Sequence, residues 1–322
     1  MLRRTVPLAL LCAGLLASAG ALAQSFPAKP VRMVVGFAAG GSTDKLARLM
    51  AQRMTEILGQ QVVVENRPGA AGNLAAEFVA AAPPDGYTLF MSTLSSQAIN
   101  PHLYKLKFDP IKSFEPITLV AKYPLLLVVP PQIQVNSVQG LIAHARANPG
   151  KTFFASSGSG SPAHLAGEIF KRATGTEVQH IPYKGGGPAM LALMANEVQF
   201  GFETIPSAIS HARSGKLKGL GVTSDARSVA APDLPTMQES GLRGFSVTSW
   251  AGLLAPAGTP RDVLARLTEA TIAAINSPAV KSALTADGAE PGGNTPAEFA
   301  RFMASELQSW GEVVRTSGAK AE

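Results

Sequence analysis

Two segments of the sequence share one pattern: a short apolar run, a loop of small residues, and then apolar residues at helical spacing. Residues 151–170 read KTFFASSGSGSPAHLAGEIF, and residues 31–50 read VRMVVGFAAGGSTDKLARLM. Each segment predicts a strand, a tight loop and a helix. Small side chains let a ligand approach the backbone of the loop, and the free N–H groups at a helix N-terminus attract an anion. The pair therefore predicts two anion-binding helix N-termini in one protein.

The first part of the chain continues this alternation. Strands are expected at 33–37, 61–65 and 87–91, and helices at 44–58 and 72–82. Strands that alternate with helices through short connections predict a mostly parallel sheet with right-handed crossovers. Ligands of such sheets bind beyond the carboxyl ends of the strands. The polar residues that follow the third predicted strand are therefore expected at the same edge as the first loop: Ser92, Thr93, Ser95 and Ser96.

A second series of strands and helices predicts a second lobe that is inserted into the first. Its strands are expected at 151–155, 178–183, 198–203 and 217–223, and its helices at 162–173, 188–195 and 206–214. The stretches 125–129 and 245–255 are the expected crossovers, and closing helices are expected at 260–275, 277–286 and 295–316. We therefore expect a two-lobed α/β fold with a ligand cleft, in which lobe 1 is 24–126 plus 246–322 and lobe 2 is 127–245.

The first 23 residues have the features of a secretory signal peptide. Arg3 and Arg4 precede an apolar core at 6–16, and an A-x-A site at 21–23 predicts cleavage before Gln24. The core is shorter than the roughly 20 residues of a membrane span. The one cysteine, Cys12, lies within this segment. The mature chain can therefore form no disulfide, and acylation of Cys12 as in a lipoprotein is the alternative interpretation.

Charge and motif spacing exclude several classes of function. Without Arg3 and Arg4 the net charge falls from +6 to about +4, and Lys and Arg form no run, so neither nucleic acid nor an anionic membrane is expected as a partner. The five histidines lack metal-ligand spacing, so no metal is expected. Residues 158–163 match a dinucleotide fingerprint, but the acidic residue expected after the next strand is missing, so no cofactor is expected.

Catalytic groups are equally hard to find. Serines are abundant at 156–161, yet none occupies a G-x-S-x-G elbow, and no pair of carboxylates lies in the loops. His164 follows Ser161 by three residues, where a surface or helix-cap role is favoured, and Asp44 suits the first turn of its helix. No catalytic residue is therefore predicted. A secreted serine hydrolase that uses one of these serines is the alternative.

Two later segments add candidates at the same predicted edge. Residues 183–187, YKGGG, end a strand and open a helix, and Tyr183 could close over a ligand. Glu203 and Thr204 end the next strand. A carboxylate that faces the cleft could accept a hydrogen bond from a ligand ammonium or hydroxyl group and would repel a plain dicarboxylate. Glu203 therefore favours an acidic amino acid or a hydroxy acid as ligand.

Several long segments resemble the periplasmic solute-binding proteins of tripartite tricarboxylate transporters, the Bug family. The resemblance covers almost the whole mature chain through PAKPVRMVVGFAAGGSTDKLAR, VVVENRPGAAGNLAAEFVAAAPPDGYTL, ASSGSGSPAHLAGEIF, HIPYKGGGPAMLALMANEVQFGF, GKLKGLGVTSDAR, LPTMQESG and SWAGLLAPAGTP. It implies a type II periplasmic binding fold, no catalysis, and capture of a small carboxylate for a membrane permease. The family usually has aspartate where this chain has Glu203. A sensor that reports its ligand to a membrane signalling protein is a further alternative.

Loop position and resemblance together define the expected site in a periplasmic monomer. The expected ligand is a dicarboxylate, a tricarboxylate or an acidic amino acid. The expected ligand-binding residues are Phe37, Ala39, Gly40, Gly41, Ser42, Thr43, Asp44, Ser92, Thr93, Ser156, Ser157, Gly158, Ser159, Gly160, Ser161, His164, Tyr183, Lys184, Gly185, Glu203 and Thr204.

Overall fold

A computed structural model describes residues 26–321, which form ten strands and nine α-helices. The predicted signal peptide lies outside the described residues. Within residues 26–321, no helix combines the length and the apolar character needed to cross a membrane.

The first group of elements follows the predicted alternation closely. It comprises β1 (Val31–Val35), α1 (Ser42–Leu58), β2 (Val62–Asn66), α2 (Asn73–Ala80) and β3 (Thr88–Thr93). Strand β1 lies between β2 and β3 and pairs with both in parallel. A π-helical turn, Ser95–Ile99, follows β3 directly. Ser92 and Thr93, expected just after the third strand, are therefore its last two residues.

The second group lies between the two crossover strands. It comprises α3 (Val138–Ala147), β5 (Thr152–Ser156), α4 (Pro162–Thr174), β6 (Val178–Pro182), α5 (Gly186–Met194), β7 (Phe200–Thr204), α6 (Ile205–Arg213) and β8 (Lys218–Val222). Strand β5 lies between β6 and β7, again in parallel. The chain ends with α7 (Arg261–Asn276), α8 (Pro278–Ala286), β10 (Glu290–Pro291) and α9 (Pro296–Ser317).

Two antiparallel strands join the groups. Strand β4 (Phe114–Val129) has 16 residues and pairs along most of its length with β9 (Thr248–Pro256). Its last five residues, 125–129, pair instead with β7 and β8 of the second group. The strand order is β2-β1-β3-β9-β4-β7-β5-β6. The sequence indicated the apolar end of β4 but not its first part, in which Pro116 and Pro124 are atypical of a strand interior and a register shift follows Pro116.

Apolar side chains cover both faces of the strands. Met33 of β1 packs in one buried cluster with Met50 of α1, whereas Val34 packs in a second cluster with Phe90 of β3. The last five residues of β4 are fully buried, as expected for a strand with helices on both sides. Burial on both faces holds the strands rigidly and leaves the loops at their ends to form a site.

Candidate functional site

Helices α1 and α4 both begin at one cavity between the two groups of strands. This inner cavity has a volume of about 30 Å³, enough for one or two water molecules. Its lining comes from both groups: Phe37, Gly41, Ser42, Thr43, Thr93, Ser95, Tyr123, Ser157, Pro162, Gly186, Glu203, Thr204 and Ser249. The two small-residue loops are thus brought together, and hydroxyl groups dominate the polar part of the wall.

A second, outer cavity adjoins the first and measures about 280 Å³. Phe37 and Ser157 line both cavities, so they lie at the boundary between them. The other predicted residues in its wall are Gly158, Ser159, Tyr183 and Lys184. The residues expected from the sequence therefore divide into an inner, hydroxyl-lined set and an outer set that includes one cation.

Asp44 shapes the first loop and lines neither cavity. Its carboxylate accepts hydrogen bonds from the Gly40 N–H (3.0 Å), from Arg48 Nε (3.1 Å) and from Asn66 Nδ2 (2.9 Å). Burial raises the pKa of Asp44, but these hydrogen bonds outweigh burial and keep the pKa below its usual value. Asp44 therefore stays ionised and holds the loop against the start of α1. Asp44 was also predicted as a ligand contact, but its side chain lines neither cavity; its hydrogen bonds support the predicted role in the first turn of the helix.

The two glycine-rich loops touch each other backbone to backbone. The Ala38 N–H donates a hydrogen bond to Lys184 O (3.0 Å). A Cβ atom on Gly187 would lie 2.7 Å from Ala39 O, and one on Gly41 would lie 3.4 Å from Gly186 N. We call this contact between residues 38–41 and 184–187 the glycine contact. It contains Ala39, Gly40 and Gly185, and it closes the cleft in this structure.

Four buried polar atoms in the wall of the inner cavity have no hydrogen-bond partner. They are Thr93 Oγ1, Ser95 Oγ, Glu203 Oε1 and Thr204 Oγ1. Buried polar atoms in folded proteins are nearly always satisfied, so such a group marks a place where a ligand or water binds. The four atoms come from the ends of β3 and β7 and from the turn after β3. Their convergence is the strongest chemical feature of the cavity.

Glu203 is buried, with 2% of its surface exposed. Burial raises the pKa of its carboxyl group to about 8, and no neighbouring charge opposes this effect. The carboxyl group is therefore mostly uncharged at pH 7 in the closed cleft. The sequence predicted an ionised Glu203 that repels dicarboxylates, whereas burial of the side chain favours the uncharged acid.

Tyr123 and Ser249 were not found by the sequence analysis. They lie on the crossover strands β4 and β9, and the Tyr123 hydroxyl is close to those of Ser249, Thr43 and Ser42. Burial raises the pKa of Tyr123 to about 12, so its hydroxyl stays protonated. Crossover strands pass along the floor of the cleft between two lobes. A polar residue in or next to a predicted crossover was therefore the sequence signal that could have identified both residues as part of the cavity wall.

Several predicted residues lie behind the cavities instead of in their walls. Ser92 Oγ donates to Gly252 O (2.8 Å) within the sheet. His164 is buried, not on the surface, and its Nδ1 accepts from the Gly160 N–H (3.1 Å). Ser161 caps α4 by accepting from the His164 N–H. The His164 and Ser161 side chains support the second loop, the Ser92 side chain bonds within the sheet, and none of the three lines either cavity.

Ser156 and His180 form a pair that could suggest hydrolysis. Ser156 Oγ lies 2.6 Å from His180 Nε2. Ser156 is fully buried, however, lines neither cavity, and also accepts a hydrogen bond from the Gly158 N–H (3.1 Å). Burial, together with the Lys171 charge, lowers the pKa of His180 to about 4. A substrate cannot reach the buried Ser156 hydroxyl, so the pair does not act in hydrolysis. Its hydrogen bonds instead hold the loop that follows β5.

The comparison with known proteins identifies the family. A family profile described as "Tripartite tricarboxylate transporter family receptor" matches residues 46–319. The chain belongs to this family. BugT of Bordetella pertussis is 40% identical over 301 residues, which cover 92% of each chain.

Two solved structures similar to this chain contain ligands. Rpa4515 of R. palustris with adipate has a TM-score of 0.89 at 36% identity and is matched over 92% of this chain and 100% of its own. MatC of Rhodopseudomonas palustris with malate has a TM-score of 0.86 at 34% identity, over 90% of this chain and 100% of its own. These matches confirm the two-lobed periplasmic binding fold.

Family membership also decides between receptor and enzyme. The family consists of solute-binding receptors, so the chain is a receptor and the serine hydrolase alternative is wrong. Among residues 26–321 no cluster of three or more His, Cys, Asp or Glu side chains could hold a metal ion. Which residues of this receptor contact the ligand stays a prediction.

Proposed function

We propose that this protein is a periplasmic receptor that captures a small dicarboxylate between its lobes and delivers it to a tripartite tricarboxylate-type membrane permease. The observation that carries the proposal is the inner cavity, where two helix N-termini meet four buried polar atoms without partners. Each helix N-terminus supplies about half a positive charge. Such a site suits a carboxylate, whose oxygens accept several hydrogen bonds.

Hydrogen bonds, more than ion pairs, would hold this ligand. No Lys or Arg is among the residues that line the inner cavity. Backbone N–H groups at the starts of α1 and α4 and the hydroxyls of Ser42, Thr43 and Ser95 are the available donors. Since a carboxylate in such a site is bound through many directed donors, we expect discrimination against isosteric amides and alcohols.

Cavity size supports a ligand with two carboxylates. About 30 Å³ leaves room for little more than one carboxylate, whereas the adjoining outer cavity of about 280 Å³ can take the rest of a chain. Lys184 in the outer wall could pair with the second carboxylate. Malate and adipate, the ligands of two similar receptors, both carry a carboxylate at each end.

The remaining parts of the proposal concern the lobes, the location and the partner. We propose lobe boundaries at 24–126 plus 246–322 and at 127–245, with closure through the crossover strands β4 and β9. The signal sequence at 1–23 supports export to the periplasm. The family description supports a permease partner. A sensing role would instead require capture of a membrane signalling protein by the ligand-bound receptor.

Calorimetric titration of the purified mature protein tests the proposal. The panel contains malate, adipate, citrate, aspartate and glutamate, with the diamide of adipic acid as an uncharged control. We expect one-to-one binding of at least one dicarboxylate, no binding of the diamide, and recovery of the ligand unchanged. At about 100 times its dissociation constant, the ligand should stabilise the fold by roughly 2.7 kcal/mol. A protein that binds no carboxylate of this panel would contradict the proposed function.

A further inference from the structure

The side chain of Glu203 is placed where it must interact with whatever enters the inner cavity. It lies near the end of β7, opposite Leu126 of β4, and a Cβ atom on Gly186 of α5 would lie 2.9 Å from its Oε2. Its other oxygen, Oε1, is buried without a hydrogen-bond partner. The unpartnered hydroxyl of Thr204 is on the next residue. A buried carboxyl group with a free oxygen beside an anion site needs a partner that the protein does not supply.

The surroundings of Glu203 offer no compensating cation. The ionisable groups on the elements that pack against β7 are Glu115, Lys122 and Tyr123 of β4, His164, Glu168, Lys171 and Arg172 of α4, and His211 and Arg213 of α6; α5 and β5 carry none. Among the residues that line the inner cavity, only Tyr123 is titratable besides Glu203. Burial alone acts on the pKa of Glu203, and none of these groups contributes.

We propose that Glu203 closes on the ligand as a carboxylic acid and donates a hydrogen bond to a ligand carboxylate, so that capture takes up one proton from solution. This inference rests on the proposed function. An ionised Glu203 would repel a ligand carboxylate in a site where no cation separates them. A protonated Glu203 removes that repulsion and adds a donor, because two carboxyl groups that share a site hold one proton between them.

The proton step is simple to balance. When the lobes separate, the Glu203 carboxyl group meets water and is ionised at neutral pH. On closure it gains one proton from solvent, and no covalent bond of the ligand changes. A protonated Glu203 suits a dicarboxylate without an ammonium group, because an ammonium group would instead favour the ionised form of Glu203. Glu203 thus selects succinate-like, malate-like and adipate-like anions over acidic amino acids.

Calorimetry in two buffers of different ionisation enthalpy counts the protons directly. The probes are malate and adipate at pH 7, and the difference in observed heat between phosphate and Tris gives the uptake. For the wild-type protein we expect close to one proton per ligand and a dissociation constant that rises up to about tenfold per pH unit toward pH 8. For Glu203→Gln we expect no proton uptake and a dissociation constant that does not change with pH, whether the variant binds more tightly or more weakly than the wild type.

Glu269→Gln is the matched control, because Glu269 lies on the exposed surface of α7 and the chemical change is the same. It should keep the wild-type uptake. Binding without proton uptake in the wild type, or equal uptake in Glu203→Gln, would overturn the inference and leave the receptor function standing. Failure to bind any carboxylate of the panel would overturn the proposed function and the inference together.

Carbon-13 NMR keeps the inference testable if Glu203→Gln does not fold. In wild-type protein labelled at glutamate carboxyl groups, one carboxyl signal of the malate or adipate complex should titrate with a midpoint at about pH 8 or higher. If every glutamate signal of the complex titrates in the ordinary acidic range, Glu203 is ionised in the complex and the inference is wrong.

Discussion

At the scale of single residues, Glu203 makes the stability of the protein depend on pH. With the cleft closed, as proposed for the dicarboxylate complex, burial raises the pKa of its carboxyl group to about 8, whereas the pKa is ordinary in the unfolded chain. Below the unfolded-state pKa both states are protonated; between the two values only the folded state holds the proton, so stability falls as pH rises. At saturating malate or adipate, we therefore expect Glu203→Gln to change the melting temperature more favourably at pH 8 than at pH 5. The difference corresponds to a free energy of unfolding of up to about 1.4 kcal/mol for each unit by which the pKa is raised. Equal effects at both pH values in a thermal-shift assay would contradict this.

Thr93 offers a second test at this scale, because its hydroxyl is buried without a partner. Thr93→Val removes an unsatisfied group and keeps the shape. We expect it to stabilise the ligand-free protein by about 1 kcal/mol and to weaken dicarboxylate binding roughly threefold to tenfold. Denaturant unfolding and calorimetry measure the two effects.

Thr118→Val is the matched control for Thr93→Val. Thr118 is also fully buried, but its hydroxyl donates to Asn294 O (2.6 Å). The control should destabilise the protein and leave binding unchanged. If Thr93→Val destabilises the protein as the control does, its hydroxyl has a partner within the protein and is not reserved for a ligand.

At the scale of elements, the glycine contact predicts a selective loss of binding. Gly41 has an ordinary backbone conformation (φ −79°), so the fold tolerates a side chain there. A Cβ would already be in van der Waals contact with Gly186 N at 3.4 Å, so the two γ-methyl groups of valine would meet the backbone of the opposite loop. We expect Gly41→Val to keep its circular-dichroism spectrum and to bind at least about tenfold more weakly, a loss of 1.4 kcal/mol or more. Unchanged affinity in a folded variant would show that closure does not need this contact.

Gly160 behaves differently, because a side chain at this position would disturb the fold as well as the loop. Its φ is +88°, and a Cβ would lie 2.1 Å from Asn100 Oδ1. A side chain there meets both backbone strain and a steric clash. We expect Gly160→Val to lower stability by several kcal/mol, so its effect on binding cannot be interpreted alone; Gly41 is the informative position.

The elements that could be predicted from sequence are those with strong local periodicity. The repeated strand–loop–helix pattern correctly located β1, α1, β5 and α4, and with them both helix N-termini. The first part of β4 was missed because Pro116 and Pro124 interrupt it and only pairing with β9 makes it a strand. Tyr123 was missed for the same reason, whereas Ser249 lies within the predicted crossover 245–255 and only the pairing of β9 with β4 places it beside Tyr123. The ionisation of Glu203 depends on burial by residues far away in sequence, which local patterns do not report.

At the scale of the whole molecule, hydrogen bonds join the two lobes both at the cleft and away from it, where Arg172 donates to Thr316 O and Arg213 donates to Ala286 O. Besides the glycine contact, the Tyr104 hydroxyl donates to Ser159 O (2.7 Å) across the outer cavity. We expect Tyr104→Phe to favour the open arrangement and to speed release of a bound dicarboxylate roughly threefold to tenfold. Stopped-flow measurement of dissociation tests this. Tyr87→Phe, which removes a hydroxyl far from the cleft that accepts from the Ala28 N–H, is the control.

The glycine contact has a consequence for how such receptors can diversify. Because the two loops meet through backbone atoms, the contact that closes the cleft does not require any particular side chain around the ligand. Side chains around the inner cavity can then change over evolutionary time without altering how the lobes meet. A lineage built on this plan can acquire new ligands by a few substitutions in the cavity wall while every descendant keeps the same closed outline.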